Sequence, residues 1–329
     1  MVGNDATNAG RFAYMEDLVL GGSDSYTTGI RQDTYYSGPS WNRYFNPDLT
    51  WEVGEKINLG LDLQLFNDFN LTFDIFREKR RDIFMTRENS IPEIVGTGET
   101  KITSNNGEME NKGLDLAIDY NKQITKDFFL SFKSTLTFAR NKVLKMDEPP
   151  YFEYPGLSDV GHPLGTYWGY VADGLFPDQE TIDNSPRQDL GYTPQPGDIK
   201  YVDVNQDGKI DAFDVSPIGG PINPEIVYGF GLNMKWKDLD FGVLFQGIGR
   251  TWNVLSGNII PASNKGTTYN IFTNYQDRWT VDNPSQDVFY PRLDYGTNAN
   301  NSQSSTWWLR NMSFLRMKNI ELGYSFPKR

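Results

Sequence analysis

Apolar and polar residues alternate with a period of two along several stretches of the chain. In "INLGLDLQLF" the apolar positions are Ile57, Leu59, Leu61, Leu63 and Leu65. The positions between them carry mostly polar side chains. This period predicts a strand with one apolar and one polar face. The same alternation predicts seven strands, near residues 57–66, 71–84, 113–122, 128–140, 226–236, 239–249 and 312–326.

The predicted connections between these strands differ sharply in length. The turns at 67–70, 125–127 and 237–238 are short. The remaining connections are long loops, at 85–112, 140–225 and 253–306. Short turns at one end and long loops at the other are typical of outer-membrane barrels. The sequence therefore predicts an all-β fold, an antiparallel transmembrane β-barrel segment with long extracellular loops.

The two faces of the predicted strands decide how the alternation is interpreted, because a soluble sandwich also alternates. The polar face carries charges suited to a wet lumen, at Asp62, Asp74, Asp115, Asp119 and Lys133. Aromatic residues cluster at strand ends as in an interface girdle, at Phe66, Phe69, Phe128, Phe129 and Trp236. We therefore expect Leu59, Leu61 and Leu63 to face lipid, and Asp62 and Gln64 to face the lumen.

Composition excludes several classes of protein. The chain has 329 residues with a net charge of −12, which argues against a nucleic-acid partner. It has no cysteine and a single histidine, His162, so thiolate metal sites and two-histidine mechanisms are excluded. No Ser-His-Asp set or phosphate-binding glycine motif is evident, so no enzymatic activity is predicted. Seven strands are odd in number and too few for a bacterial barrel, so we expect an internal piece of a larger one.

The segment "DVNQDGKIDAFD" has the ligand spacing of a calcium loop. Side-chain oxygens stand at loop positions one, three, five, nine and twelve, and Lys209 offers its carbonyl at position seven: Asp203, Asn205, Asp207, Lys209, Asp211 and Asp214. Gly208, at position six, permits the sharp turn. The flanks are not helical, so the sequence predicts a structural calcium clip in loop 203–214 and not a sensor. The alternative is an Asx-rich turn without metal.

Several separated motifs resemble one known family. They are "VGNDATNAGRFAY", "WNRYFNPDLTWE", "PGDIKYVDVNQDGKIDAFD", "YGFGLNMKWKDLDFGVLFQG" and "WWLRNMSFLRMKNIELGYSFPK". In this order they resemble the SusC/RagA-like TonB-dependent transporters of the Bacteroidetes outer membrane. The resemblance implies a 22-stranded barrel with an N-terminal plug, of which this chain looks like the second half. The plug, the TonB-contacting segment and the barrel ends are expected to be absent from it.

The resemblance also implies a function and partners. It implies import of glycans or peptides across the outer membrane, as a multi-pass protein, together with a SusD-like surface lipoprotein and with TonB. The substrate-binding residues are not predicted. Two alternatives remain from the residues alone: a secreted calcium-binding, carbohydrate-binding or adhesive β-protein, and a passive porin.

Three smaller features have two interpretations each. His162 is either an ordinary loop histidine or a pH gate. Trp307 and Trp308 either anchor the last strand at the membrane interface or stack on sugars. The basic run Arg77, Lys79, Arg80 and Arg81 either faces anionic lipopolysaccharide or is a solvated strand end.

Overall fold

Strands dominate the structure, a computed structural model that describes residues 12–20, 25–87, 102–149, 157–256, 272–294, 296 and 298–326. In chain order the strands of these ranges are β1 (Asp17–Val19), β2 (Ser25–Thr28), β3 (Thr34–Ser37), β4 (Ser40–Arg43), β5 (Val53–Leu65), β6 (Phe69–Thr86), β7 (Thr103–Thr125), β8 (Phe128–Lys145), β9 (Thr166–Gly169), β10 (Ala172–Leu175), β11 (Arg187–Gln188), β12 (Ile199–Tyr201), β13 (Lys209–Ile210), β14 (Ser216–Pro221), β15 (Ile226–Trp236), β16 (Leu239–Gly249), β17 (Trp252–Val254), β18 (Leu309–Asn311) and β19 (Phe314–Tyr324). A short helix, α1, spans Gln179–Asp183, and two 3₁₀ turns span Ala212–Asp214 and Thr273–Gln276. No helix among the described residues is long and apolar enough to cross a membrane.

Seven long strands form one antiparallel sheet in the order β5-β6-β7-β8-β15-β16-β19. Each strand pairs with the next long strand along the chain, so the sheet is an up-and-down meander. The sheet does not close on itself within this chain, and β5 and β19 form its edges. The predicted all-β, antiparallel fold is confirmed.

Tight turns join the strands at one end of the sheet. Between β5 and β6, Phe66 and Asn67 have φ values of 53° and 61°. Positive φ at both central residues is the geometry of a hairpin turn whose twist matches that of its strands. Lys237, between β15 and β16, also has a positive φ, 55°. The long connections β6–β7, β8–β15 and β16–β19 all leave from the opposite end.

At the end of the sheet that carries the long connections, three strands extend further than predicted. The predicted loop 85–112 is wrong over much of its length, because β6 continues to Thr86 and β7 begins at Thr103. Strand β8 also runs on to Lys145, past the predicted end at 140. Polar and charged residues replace many apolar ones in the extensions of β7 and β8, so the alternating signal fades there. Ion pairs such as Lys79–Glu108, at 3.2 Å, stand in for apolar contacts.

The long connections are structured in the parts that are described. Strands β9–β14 and helix α1 lie within the predicted loop 140–225, and β17 covers the start of the predicted loop 253–306. Residues 88–101, 150–156 and 257–271, which belong to the three predicted loops, lie outside the described residues. The last predicted strand, 312–326, is β19, and β18 just before it pairs with β17 instead of the large sheet.

The hydrophobic core lies in the long connections and not on the sheet. We call the described residues of 157–225 and 272–308 the loop unit. Its buried cluster contains Tyr170, Leu175, Leu190, Ile199, Tyr201, Ile210, Trp279, Tyr290 and Trp308. On the sheet, by contrast, apolar side chains stay exposed, with Leu59 at 72% and Leu322 at 79%. A soluble sandwich buries its apolar face, and this sheet does not bury it within the described residues.

Candidate functional site: the two-faced sheet and its loop unit

The register of the sheet gathers the apolar residues of the long strands on one face. One row of directly paired residues is Leu59, Ile75, Leu114, Phe138 and Ile226. Two residues nearer the turns, the next row is Leu61, Phe73, Leu116, Leu136 and Tyr228. Further rows follow to Leu130, Met234, Phe241 and Leu322 near the turn end. We call this set of rows the apolar band.

The opposite face of the same strands is polar. Asp62 and Gln64 lie on this face, and Leu59, Leu61 and Leu63 lie on the other, because neighbours alternate along β5. Cross-strand hydrogen bonds join the polar side chains of neighbouring strands. Asn58 Nδ2 donates to Asp74 Oδ1 at 3.1 Å, and Thr137 Oγ1 donates to Asp115 Oδ1 at 2.6 Å. Lys133 Nζ lies 3.3 Å from Asp119 Oδ1. The polar face is therefore a hydrogen-bonded, largely acidic surface.

A buried carboxylate joins the loop unit to the sheet. Glu225, which is 5% exposed, immediately precedes β15. Its Oε1 lies 3.2 Å from Arg140 Nε on β8, and its Oε2 lies 2.6 Å from Arg250 Nε just after β16. The Ala139 amide also donates to the Glu225 carbonyl at 2.9 Å. One side chain thus links the loop-side ends of three neighbouring strands.

A second buried carboxylate holds the two halves of the loop unit together. Asp198 is fully buried, and its Oδ1 accepts from Asn298 Nδ2 at 3.1 Å and Asn301 Nδ2 at 2.9 Å. Its Oδ2 accepts from the Gln195 amide at 2.8 Å and from Arg292 at 3.3 Å. Burial raises the pKa of Asp198, while the Gln195 amide and Arg292 oppose that rise. Sequence reasoning missed this network, because its partners are about a hundred positions apart and show no periodicity.

The loop unit presents an open groove of about 780 Å³ to its surroundings. It is lined by residues from Phe176 to Gln195, among them Ile182, Arg187, Gln188, Asp189 and Tyr192. The side chains of Arg187 and Asp189 are 79% and 60% exposed. The groove combines a few apolar side chains with charges of both signs.

The predicted calcium loop is a closed turn whose carboxylates accept backbone hydrogen bonds. Asp203 accepts from the amides of Gln206, Asp207 and Gly208 at 2.7–3.3 Å. Asp214, fully buried, accepts from the amides of Val204, Asn205 and Asp211 at 2.8–3.4 Å. Gly208 has a φ of 87°, which favours glycine, as the spacing required. Asp203 and Asp214, the first and last of the predicted calcium ligands, thus hold the two ends of the loop.

The two middle carboxylates of this loop interact with an ammonium group. Lys209 Nζ forms an ion pair with Asp211 and lies 3.7 Å from Asp207 Oδ2. The Lys209 ammonium lowers the pKa of Asp211 below its usual value, and the Phe213 amide adds to this. Within the described residues, no three acidic or histidine side chains converge on one point suited to a metal ion.

The oxygen donors of the loop fit calcium in kind and in spacing. A carboxylate that accepts backbone hydrogen bonds still has lone pairs free for a cation. Convergence of Asp207 and Asp211 on an ion requires them to leave the Lys209 ammonium. Calcium therefore stays a prediction here, with Asp203, Asn205, Asp207, Asp211, Asp214 and the Lys209 carbonyl as its ligands.

The three smaller features have these surroundings in the structure. Trp308 is fully buried in the loop unit and its Nε1 donates to the Asn301 carbonyl at 2.7 Å, so neither the interface anchor nor the sugar platform is right for it. Trp307 packs against the same core and donates to the Phe289 carbonyl. The His162 ring lies edge-on to Trp168, with 5.2 Å between centroids. The sequence alone predicts a surface position for both tryptophans, because the residues that bury them come from distant segments of the chain.

The basic run of β6 is paired with carboxylates. Arg77 contacts Glu110, and Lys79 contacts Glu108. Arg80 contacts both Glu52 and Glu78, and Arg81 contacts Glu55. Alternation along β6 places Arg77 and Lys79 on the face of the apolar band and Arg80 on the polar face. The run is therefore not one patch but two, on opposite sides of the sheet.

The chain is similar in sequence to several TonB-dependent receptors. TonB-dependent receptor P26 of Formosa agariphila is 29% identical over 328 residues, which cover 95% of this chain and 31% of that protein. TonB-dependent receptor SusC of Bacteroides thetaiotaomicron is 27% identical over 329 residues, which cover 96% of this chain and 30% of that protein. The chain thus spans under a third of the length of these relatives.

The chain is also similar in fold to solved structures. The RagAB peptide importer in its open-open state superposes with a TM-score of 0.66 at 23% identity, over 97% of this chain and 32% of that one. Its closed-closed state gives 0.65 at 22% identity, over 99% of this chain and 33% of that one. The family model described as TonB dependent receptor-like, beta-barrel matches residues 10–329. This chain belongs to the TonB-dependent receptor-like β-barrel family.

Proposed function

We propose that this chain is part of an outer-membrane importer that takes up oligosaccharides or peptides in a TonB-dependent manner. Its strands cross the membrane several times, with the tight turns on the periplasmic side and the loop unit outside the cell. The single observation that carries the proposal is the register that sorts the meander into an apolar band and a polar face. Family membership and the asymmetry between turns and loops support the same arrangement.

The height of the apolar band suits a bilayer. On β8 the band runs from Leu130 to Phe138, eight residue steps. At about 3.4 Å per residue this is roughly 27 Å along the strand. A strand tilt of about 40° reduces it to roughly 21 Å along the membrane normal, close to the ~25 Å band of outer-membrane barrels. The longer strands β7 and β8 then extend beyond the membrane on the side of the loop unit.

The polar face would line the transport path. Its hydrogen-bonding groups, such as Asp74, Asp115, Asp119 and Lys133, suit a hydrated solute and not an apolar one. Oligosaccharides and peptides both fit this chemistry. One solved structure with a similar fold is that of a peptide importer, RagAB, and the chemistry of the polar face suits oligosaccharides equally, so both solute classes remain in the proposal. No enzymatic activity is part of it.

A growth and uptake experiment tests transport. The full-length receptor is deleted, and uptake of labelled oligosaccharides and labelled peptides is compared with the complemented strain. We expect one solute class to be lost, and its uptake to stop when the proton gradient is collapsed. Uptake that survives the collapse would indicate a passive porin. Recovery of the receptor in the culture medium without detergent would indicate the secreted β-protein.

The two proposed partners would act on opposite sides of the membrane. A SusD-like surface lipoprotein would cover the loop unit, whose open groove and exposed Arg187 and Asp189 offer a contact surface. TonB would act through a segment outside this chain. A photocrosslinker at Asp189 of the full-length receptor should capture the lipoprotein, and one at Asp127 in a tight turn should not. Capture at Asp127 alone would reverse the proposed orientation.

A further inference from the structure

The face that carries the apolar band continues towards the loop unit as two rows rich in cations. Beyond the row of Leu59, Ile75, Leu114 and Phe138, the next row is Ile57, Arg77, Lys112 and Arg140. The row after it is Glu55, Lys79, Glu110 and Lys142. The pairing of these rows is unbroken, since the register shifts of β6–β7 and β7–β8 lie farther out. We call the five cations of these two rows the cationic belt.

Two cations of the belt lie over one carboxylate, Glu110, while Lys79 pairs with Glu108 and Arg140 pairs with Glu225. Arg77 reaches Glu110 Oε1 at 2.5 Å, and Lys112 Nζ lies 3.8 Å from Glu110 Oε2. The side chains of Arg77 and Lys112 are 61% and 66% exposed, whereas that of Glu110 is 12% exposed. One shielded carboxylate is therefore covered by two exposed cations. The charge that this part of the face presents to its surroundings is positive.

The cationic belt is positively charged, although the chain as a whole is negatively charged. The chain has a net charge of −12, yet the two rows hold five cations and only two carboxylates, Glu55 and Glu110. The first cation row follows the last apolar row by two residues, about 7 Å along the strands. In a bilayer this is the depth of the headgroups on the loop side, where long basic side chains reach phosphate while their stems stay on apolar surface.

We propose that the cationic belt binds the phosphate of an anionic lipid in the leaflet on the side of the loop unit. The proposal rests on the membrane-spanning arrangement of the proposed function. A lipid is favoured over a soluble anion because the apolar band begins directly beside the belt and accommodates the acyl chains. Arg77 and Lys112 hold the phosphate, and Lys142 and Arg140 extend the same surface.

Lipid binding to the full-length receptor in detergent tests the proposal. The probes are phosphatidic acid, which carries a phosphate monoester, phosphatidylcholine, and inorganic phosphate, and bound lipid is counted by native mass spectrometry. The wild type should retain phosphatidic acid in preference to phosphatidylcholine. The double variant Arg77→Gln/Lys112→Gln should retain about thirtyfold less, since each basic residue near a phosphate contributes about fivefold. The control Lys122→Gln changes an exposed cation of β7 near the tight turns and should behave as the wild type.

Three outcomes would overturn the proposal: equal retention by the double variant, equal loss in the control, or displacement of the lipid by millimolar inorganic phosphate, which would indicate a soluble-anion site. A heat-modifiability gel establishes that each variant is a folded barrel. Solute uptake is measured in the same strains. Lost lipid binding with normal uptake leaves the importer intact. Absence of uptake by the wild type, with the expected loss of lipid in the double variant, would count against the importer alone.

Discussion

The ammonium group of Lys209 lies beside two of the carboxylates that are predicted to bind calcium in loop 203–214. It interacts with Asp207 and Asp211, two of the predicted ligands, and offsets their mutual repulsion. A divalent ion and this ammonium therefore compete for the same oxygens. The side chain of Lys209 opposes calcium, whereas its carbonyl is a predicted ligand.

Replacing the Lys209 side chain should strengthen calcium binding. We expect Lys209→Met to raise the calcium affinity about 1.4- to fivefold, because an exposed ion pair is worth ~0.2–1 kcal/mol. Isothermal titration of the full-length receptor measures the affinity. Lys200→Met is the control, because Lys200 pairs with Asp173, which is not one of the predicted ligands. An unchanged or lower affinity in Lys209→Met would show that the ammonium does not compete with the ion.

Asp198 joins the two halves of the loop unit through buried hydrogen bonds. Asp198→Ala should destabilise the unit by about 2–4 kcal/mol, because buried donors of Arg292, Asn298 and Asn301 lose their acceptor. Hydrogen exchange of peptides from the loop unit measures the loss. The control Asp189→Ala removes an exposed carboxylate and should change the stability by less than about 0.5 kcal/mol. Similar exchange in both variants would contradict the assigned role of Asp198.

At the scale of elements, the end of the loop unit that enters the sheet is fixed by Glu225. Glu225→Ala should cost about 2 kcal/mol locally, because this buried carboxylate loses its ion pairs with Arg140 and Arg250. Faster hydrogen exchange at the start of β15 and just after β16 would report this. Glu225→Gln keeps an acceptor of the same shape and should lose less. If both variants exchange like the wild type, the sheet holds the loop unit without this carboxylate.

The calcium-type loop is a second element with a mechanical role in our proposal. Calcium should order the segment 197–221, because crowded carboxylates repel one another until a cation neutralises them. Chelation, or Asp207→Ala, should therefore increase proteolysis of this segment several-fold. The seven-stranded sheet does not use these residues, so the heat-modifiability of the barrel should stay unchanged. Proteolysis that is indifferent to both calcium and chelator would leave a turn held only by Asp203 and Asp214.

At the scale of the whole molecule, the two faces of the sheet should tolerate charge differently. Ile118 lies in the middle of the apolar band, and Ala117 beside it lies on the polar face. Ile118→Arg should cost about 2–4 kcal/mol of folding free energy in a bilayer, as expected for a cation on the lipid side at mid-depth. Ala117→Arg should be close to neutral. Guanidinium titration of the receptor in vesicles measures both. A larger cost for Ala117→Arg would show that the polar face, and not the apolar band, faces lipid.

Much of the sheet could be predicted because its information is local. Each long strand pairs with its neighbour in the chain, and alternation within one strand already separates Leu59 and Leu61 from Asp62. The tight turns are similarly local, since a few residues decide them. The amino-acid sequence by itself thus determined the antiparallel meander, the composition of its two faces and the asymmetry of its ends.

The tertiary structure decided what depends on distant partners. Strand β7 reaches back to Thr103 by backbone pairing with β6 as far as Thr86, and ion pairs hold its Glu108 and Glu110 to β6. Trp308 is buried, and Asp198 is satisfied, only because two connections that are about a hundred residues apart fold against each other. Such contacts leave no period in either segment. The physical reason is that strand periodicity records which way a side chain points, whereas burial in an irregular loop is fixed by whichever distant segment packs against it.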